Sequence, residues 1–318
     1  MDQGNKVTFG KATTAGLLAL ILAATSSSAS ASENPLVQLR DSDQRVGSIG
    51  LSLFKRNAAR CPALAPATGL ILHSPAQYRG TTREHALTLW AFPTAVSVEA
   101  VIPGSPAENA GLRPGDGLIA FAGFTIPPEA APGAPATALR DSTELHLQAL
   151  PPGEAIPVTV MRGSRLISLV LTPQPACRSR LEVVAGSTLK GRSDGSIIQL
   201  GQEFVAQLSD GELAFVIAHE LAHTILQHRA QLSALQKQPA RMAKARHRKL
   251  ASQFEDEADI LALDLLSDAG WDPWTAPNFM RTKGKAFDPV FKLGGIHRRA
   301  FDRAKLMERA LRRVHEPN

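Results

Sequence analysis

Ala218-His219-Glu220-Leu221-Ala222-His223 decides how the carboxy-terminal half of this chain is read. Just upstream, Ser209-Asp210-Gly211-Glu212 has the form of a capping box, in which a serine and a glutamate three residues on satisfy free backbone N–H groups. A helix is therefore predicted to start there, with Leu213, Val216, Ile217, Leu221 and Ile225 supplying its apolar faces. On that helix His219 and His223 lie one turn apart on one face, so two imidazoles can meet one ion. Glu220, beside the first of them, is placed to act as general base on an attacking water. Zinc is the expected metal, one ion per chain, because imidazole with carboxylate suits it and it is redox-inert.

The third ligand should come from a second helix. Phe254-Glu255-Asp256-Glu257-Ala258-Asp259 opens an apolar helical run, and Glu255 and Asp259 share a face at i, i+4. Glu255 would complete a two-His-one-Glu site, and Asp259 would orient a ligand histidine. His228 is the rival ligand, but five residues beyond His223 on one helix it would point away from the metal face. Asp256 and Glu257 read as solvated helix charges. The long metzincin motif needs Gly at 226 and His at 229; Leu226 and Arg229 exclude it.

Together with Ala269-Gly270-Trp271-Asp272-Pro273, and with His297 followed by Arg303, these stretches resemble the HtpX/BepA-type zinc metallopeptidases, the family that includes the CAAX prenyl proteases. The resemblance spans residues 181–310. It implies that Glu255 is the third ligand, that Asp259 supports the site, that His297 lies near the metal and that Arg303 is a nearby polar support. Arg298 stands where the family has Pro, a departure at the placement of His297. The only tyrosine, Tyr78, lies in another region, so His297 is the candidate donor to the transition-state oxyanion. In related proteases the strand just before the catalytic helix, here Ser196–Leu200, pairs with an extended substrate.

The middle of the chain has another character. Short apolar runs at Ala86–Ala91, Ala95–Ile102, Gly117–Phe121, Ile156–Met161 and Leu166–Leu171 read as strands, with a helix at Thr143–Leu150. Val101-Ile102-Pro103-Gly104-Ser105-Pro106-Ala107-Glu108-Asn109-Ala110-Gly111-Leu112-Arg113-Pro114-Gly115-Asp116 resembles a PDZ domain: Ser105 can cap a short helix, and Gly111 and Gly115 allow tight turns. The resemblance implies that an extended peptide adds to a sheet edge with its C-terminal carboxylate on backbone N–H groups. The accepting strand would lie near Ala86–Trp90, with Tyr78, Gly80, Leu87 and Leu89 as groove residues; Tyr78, Leu87 and Leu89 are equally readable as core.

At the amino terminus, Lys6 and Lys11 precede the apolar run Ala15–Ala24 and an Ala29-Ser30-Ala31 cleavage site, the layout of a secretory signal peptide. The run is too short for a permanent membrane span. The mature chain is thus expected outside the cytoplasm, in the periplasm of a bacterium, where Cys61 and Cys177, the only two cysteines, would pair. Two cysteines are too few for a disulfide scaffold or a four-Cys zinc site. With 44% hydrophobic and 20% charged residues over 318, wholesale disorder is excluded, and a net charge of +6 does not imply nucleic acid. The basic run Arg229–Leu250 reads as a solvated helix or flap over the site, or as contact with an anionic membrane surface.

The expected architecture is α+β. It comprises a signal peptide (1–31), a helix belonging to the protease (32–60, read from Asp43), and a connector (61–83). An inserted, mostly-β PDZ domain (84–176) follows, then a mainly helical, zincin-like peptidase domain with a small sheet (177–318). The expected function is an exported zinc metalloendopeptidase acting on misfolded or envelope polypeptides, with a PDZ module taking peptide C-termini. The rivals are a non-proteolytic chaperone or adaptor and a latent protease.

Overall fold

Asn34 starts the first helix: its side-chain oxygen accepts the Leu36 N–H at 3.0 Å, and Pro35 brings no N–H that would need a partner. This computed structural model describes residue 1 and residues 34–235, 240–287 and 299–315. The following description is of the compact unit Asn34–Asn318. The signal peptide, His297 and most basic side chains of 229–250 lie outside the described residues.

Helix α1 (Pro35–Arg56) is followed by a 3-10 turn (Ala58–Arg60), β1 (Leu64–Ala67) and β2 (Leu70–His73). Then come α2 (Gly80–Leu89), β3 (Ser97–Val101), α3 (Pro106–Asn109), β4 (Gly117–Phe121), β5 (Phe124–Thr125) and α4 (Ala138–Ala149). Strands β6 (Ile156–Arg162), β7 (Arg165–Leu171), β8 (Gln174–Cys177) and β9 (Arg180–Val184) lead to β10 (Arg192–Ser193) and β11 (Ile197–Gly201). The remainder is helical: α5 (Gln202–Val205), α6 (Asp210–Ile225), α7 (His228–Leu235), α8 (Ala240–Asp268), α9 (Thr275–Thr282) and α10 (Ala300–His315). The chain is a mixed α/β protein.

Two cores form. In the first, β2-β3-β4-β6-β7 make one sheet, with β5 paired to β4, and α4 lays Leu139 and Leu147 against Val98, Leu118, Phe121, Val158 and Leu171. Gly111 and Gly115 turn the chain at φ 82° and 84°, and Ser105 accepts the Glu108 N–H, as the PDZ-like stretch required. In the second, Val46, Ile49, Leu53 and Phe54 of α1 join α6, α8, α9 and α10 and the small sheet β10-β11-β9. So α1 shares a core with helices that come much later in the chain, its apolar stripe covered by them. The paired strands β1 and β8 lie side by side, and the Cys61–Cys177 disulfide ties the residue after the 3-10 turn to the end of β8, with Cα atoms 5.4 Å apart.

Several expectations are corrected. The first helix begins at Pro35, not Asp43, because Asn34 caps it. The connector 61–83 contains two strands, and the PDZ-like sheet starts at Leu70. Ala86–Ala91 is not a strand: Gly80–Leu89 is a helix that buries only Ala86, while Thr88 bonds back to the Glu84 carbonyl at 2.9 Å. The alternation of apolar and polar residues there is misleading, because Arg83, Glu84, Ala86 and Leu87 favour helix. Tyr78 is buried with Leu36 and Ala86, and Gly80, Leu87 and Leu89 are exposed on or beside this helix, so these four do not form a strand-edge groove. The helix read at Thr143–Leu150 starts earlier, at Ala138.

Charged side chains fill the junction between the cores. Arg140 of α4 reaches Asp141 at 2.9 Å and Glu182 of β9 at 2.7 Å; Arg180 reaches Glu144 at 3.2 Å. Asp43 of α1 accepts the Val183 N–H at 3.1 Å. Glu99 on β3 is 5% exposed, and its Oε1 has no hydrogen-bond partner. Burial raises the Glu99 carboxyl and the Asp43 charge raises it further, against Arg140 and Arg40.

Two outcomes follow from this packing. Unfolded glutamate ionises near pH ~4.3, whereas folded Glu99 keeps its proton to higher pH, so the folded state binds more protons and stability falls as pH rises through that window. Glu99→Gln is expected to flatten that fall: urea midpoints should exceed wild type at about pH 8 and lie closer to it at about pH 5. Replacing both Cys61 and Cys177 by Ala opens a 116-residue closure and should cost up to about 4–5 kcal/mol in urea unfolding under oxidising conditions.

Candidate metal centre

The capping box forms as read: Ser209 Oγ accepts the Glu212 N–H at 3.3 Å, and Glu212 accepts the Ser209 N–H at 2.8 Å. It fixes where α6 begins and hence the rotation of His219 and His223. The inner face of α6, Leu213, Ile217 and Leu221, is fully buried and packs along α8. That packing carries Glu255 to the two histidines.

His219 Nε2 stands 3.1 Å from His223 Nε2, and the Glu255 carboxylate oxygens stand 3.4 Å from His219 Nε2 and 3.5 Å from His223 Nε2. A four-coordinate ion with bonds of about 2.0–2.1 Å needs ligand atoms roughly 3.3–3.4 Å apart. The three donors match that spacing, and they are the one such group of His, Cys, Asp and Glu among the described residues. The donor set suits a divalent metal ion of zinc's size.

Asp259, fully buried on α8, sits with Oδ1 3.1 Å from His219 Nδ1. Arg303 of α10, 4% exposed, holds both Asp259 oxygens at 2.7 and 2.6 Å. The structure thus brings together His219, His223, Glu220, Glu255, Asp259 and Arg303 from three helices. Burial pulls the His223 imidazole down to about 3. At His219 burial acts the same way, but Asp259 and Glu255 outweigh it and push it up to about 10. Two carboxylates facing one guanidinium leave a hollow that favours positive charge, which a cation would supply in place of a proton.

Glu220 is half-buried, and burial raises its carboxyl above the ordinary range while the Ser193 N–H holds it. The segment leading into β10 lies against it: a Cβ at Gly191 would meet Glu220 Oε1 at 3.3 Å. Nothing in the sequence marked Gly191 or Ser193 beyond the smallness of the glycine. The expectation that Ser196–Leu200 offers an edge to substrate is corrected, because β11 is flanked by β9 on one side and β10 on the other. Strand β10 is the outer one, and it borders a cleft of about 390 Å3 containing His219, Glu220, His223 and Glu255. Phe215, Val216, Phe279 and Met280 form the apolar wall of the cleft, and Arg192 and Arg229 line it as well.

His228 is not among the three ligands; it stands on the Nδ1 side of His223, 2.9 Å away. Glu257, read as a solvated charge, meets His228 Nε2 at 3.2 Å. The reading of His228 assumed one unbroken helix. Instead α6 ends at Ile225, and Gln227 takes a left-handed φ of 53° before α7 starts.

Two neighbouring histidines and a carboxylate from a second helix, with a further glutamate beside them, define the class of metal-dependent hydrolases. More particularly, residues 189–245 match the family model "Peptidase family M48", and residues 97–126 match "PDZ domain". The resemblance drawn from the sequence is borne out: the M48 match takes in α6, and the PDZ match lies in the larger sheet. Among solved structures, the HtrA3 PDZ domain bound to a phage-derived ligand (FGRWV) is similar at 13% identity over 35% of this chain and 88% of its own, with a TM-score of 0.26. The HtrA-type protease AlgW with decapeptide is similar at 19% identity over 35% of this chain and 30% of its own, also at 0.26. No curated protein matches the chain.

Removing Arg303 would leave Asp259 buried without its guanidinium, with only the His219 ring beside it. Arg303→Ala is expected to cost about 3–5 kcal/mol in urea unfolding. Arg303→Lys should recover only part of this, because an ammonium cannot hold both oxygens in a fork. A loss below about 1 kcal/mol would show that Asp259 does not depend on the pair.

Proposed function

We propose that this protein is an exported, zinc-dependent metalloendopeptidase with a peptide-binding PDZ module. The observation that carries the reading is the tetrahedral spacing of His219, His223 and Glu255 beside Glu220. His219, His223 and Glu255 would hold the ion, which when bound supplies Lewis-acid polarisation of water and of the peptide carbonyl. Glu220 takes a proton from the attacking water and delivers it to the leaving amine nitrogen. Its burial favours the first of these transfers, since a raised carboxyl is a better base. Asp259, held by Arg303, keeps the His219 ring turned so that Nε2 faces the ligand hollow. His297, which lies outside the described residues, keeps the role of oxyanion donor within this proposal.

The peptidase domain is read as zincin-like, with the PDZ unit inserted between α1 and β9. Supporting this, α1 packs into the peptidase core, and β1, β8 and the disulfide join the two ends of the insertion. A peptide at the PDZ unit would add beside β2, whose other neighbour is β3. A cleft lined by Leu70, Ile71 and Leu72 of β2 and Leu147 of α4 opens there, and Val46 and Gly47 of α1 form its far wall. Export rests on the layout of residues 1–31 and on a cysteine pair that calls for an oxidising compartment. Substrates are taken to be unfolded envelope polypeptides, and contact of the basic run with anionic membrane belongs to the same proposal.

Casein digestion by wild type and Glu220→Gln, with metal analysis of both, tests the mechanism. Glu220→Gln should retain zinc and lose about 100-fold or more in rate. Equal cleavage by the two proteins would overturn it.

A further inference from the structure

We propose that His228 and Glu257 form a positioning relay for the metal ligand His223, an inference that rests on the metallopeptidase reading above. His223 turns Nε2 toward His219 and Glu255 and Nδ1 toward His228 Nδ1, at 2.9 Å. Two ring nitrogens at that distance are bonded when one carries a proton and the other a lone pair. If His223 gives its Nε2 lone pair to an ion, its proton sits on Nδ1 and is donated to His228. His228 then accepts at Nδ1, so its own proton sits on Nε2, which faces Glu257 Oε2 at 3.2 Å. Glu257 ends the chain as pure acceptor, and its other oxygen accepts the Gln253 amide at 2.6 Å. With both rings neutral and the Nε2 lone pair of His223 on an ion, this assignment of protons satisfies every contact. The opposite assignment aims an N–H of His223 into the ligand hollow and leaves two lone pairs facing each other at His228.

The backbone is arranged to make this possible. On a continuous helix a residue five beyond His223 would be turned about 140° away from it. The helix instead stops at Ile225, and Gln227 adopts the left-handed conformation, which disfavours residues other than glycine. That turn brings the first residue of α7 back beneath His223. There the ring is 2% exposed and stacked on Phe254, with centroids 4.0 Å apart and planes within 6°. A ring so packed cannot swivel, so it fixes the plane of the ring it bonds. Both ligand histidines are then backed by a carboxylate: His219 directly by Asp259, His223 through His228 by Glu257.

The full-length protein tests this by zinc competition against a chromophoric chelator. His228→Ala is expected to bind zinc about 10–100-fold more weakly than wild type. His228→Asn, whose Oδ1 can stand where Nδ1 stands, should recover most of that loss. In the zinc-loaded wild type, nitrogen–proton NMR correlations should place the proton of His223 on Nδ1 and that of His228 on Nε2, a signature that a merely space-filling histidine would not set. Unchanged zinc affinity in His228→Ala, or an Nδ1–H tautomer at His228, would overturn the relay and leave the metallopeptidase reading standing. A wild type that binds no zinc would overturn that reading and the relay with it. If His228→Ala fails to fold, His228→Asn and the tautomers decide.

Discussion

Asp259 has no contact with solvent, yet three helices depend on it. Its carboxylate takes both arms of Arg303 from α10 and stands against His219 of α6, while its own backbone belongs to α8. A buried charge is tolerable only when paired, so α10 cannot move away without exposing the site to a large electrostatic penalty. The apolar residues around it, Ala258, Ala262, Leu265, Ala304 and Met307, bring the helices close but leave their rotation loosely specified. The bidentate pair removes that freedom, because a guanidinium fork meets a carboxylate in one plane. Ligand geometry at the metal centre is in this sense a property of helix packing.

The junction with the sheet unit obeys a different logic. There the charged groups are several and partly exposed: Arg140, Asp141, Glu144, Arg180 and Glu182 share bonds across α4 and β9. Such networks discriminate among dockings more than they stabilise any one. The covalent closure at Cys61–Cys177 and the β1–β8 ladder take over the task of holding. Glu99, buried with an unpartnered oxygen, is the weak member of this surface and makes the docking sensitive to proton activity.

What could be read from the sequence was whatever one helix encodes. The capping box set the start of α6, and from it the relation of His219, Glu220 and His223 followed by rotation alone. Glu255 and Asp259 were legible for the same reason, as one face of α8. The PDZ-like turn was legible through Gly111 and Gly115, where backbone conformation restricts the residue type. The cysteine pair was legible because only two cysteines exist.

The misreadings share a cause: each depended on an event between elements. His228 was judged on a helix that does not continue, since a left-handed glutamine leaves almost no trace in a sequence where glycine would be the usual mark. Strand β11 was taken as an edge because its partner β10 is two residues long and indistinguishable from a turn. Helix α2 alternates like a strand, but Arg83, Glu84, Ala86 and Leu87 favour helix, and the outer strand of that sheet is β2 instead. Local chemistry therefore located the metal ligands, while the groups that orient them came from helix ends and strand order. Those are set by the competition of all segments for one core, and a single segment read by itself carries no record of that competition.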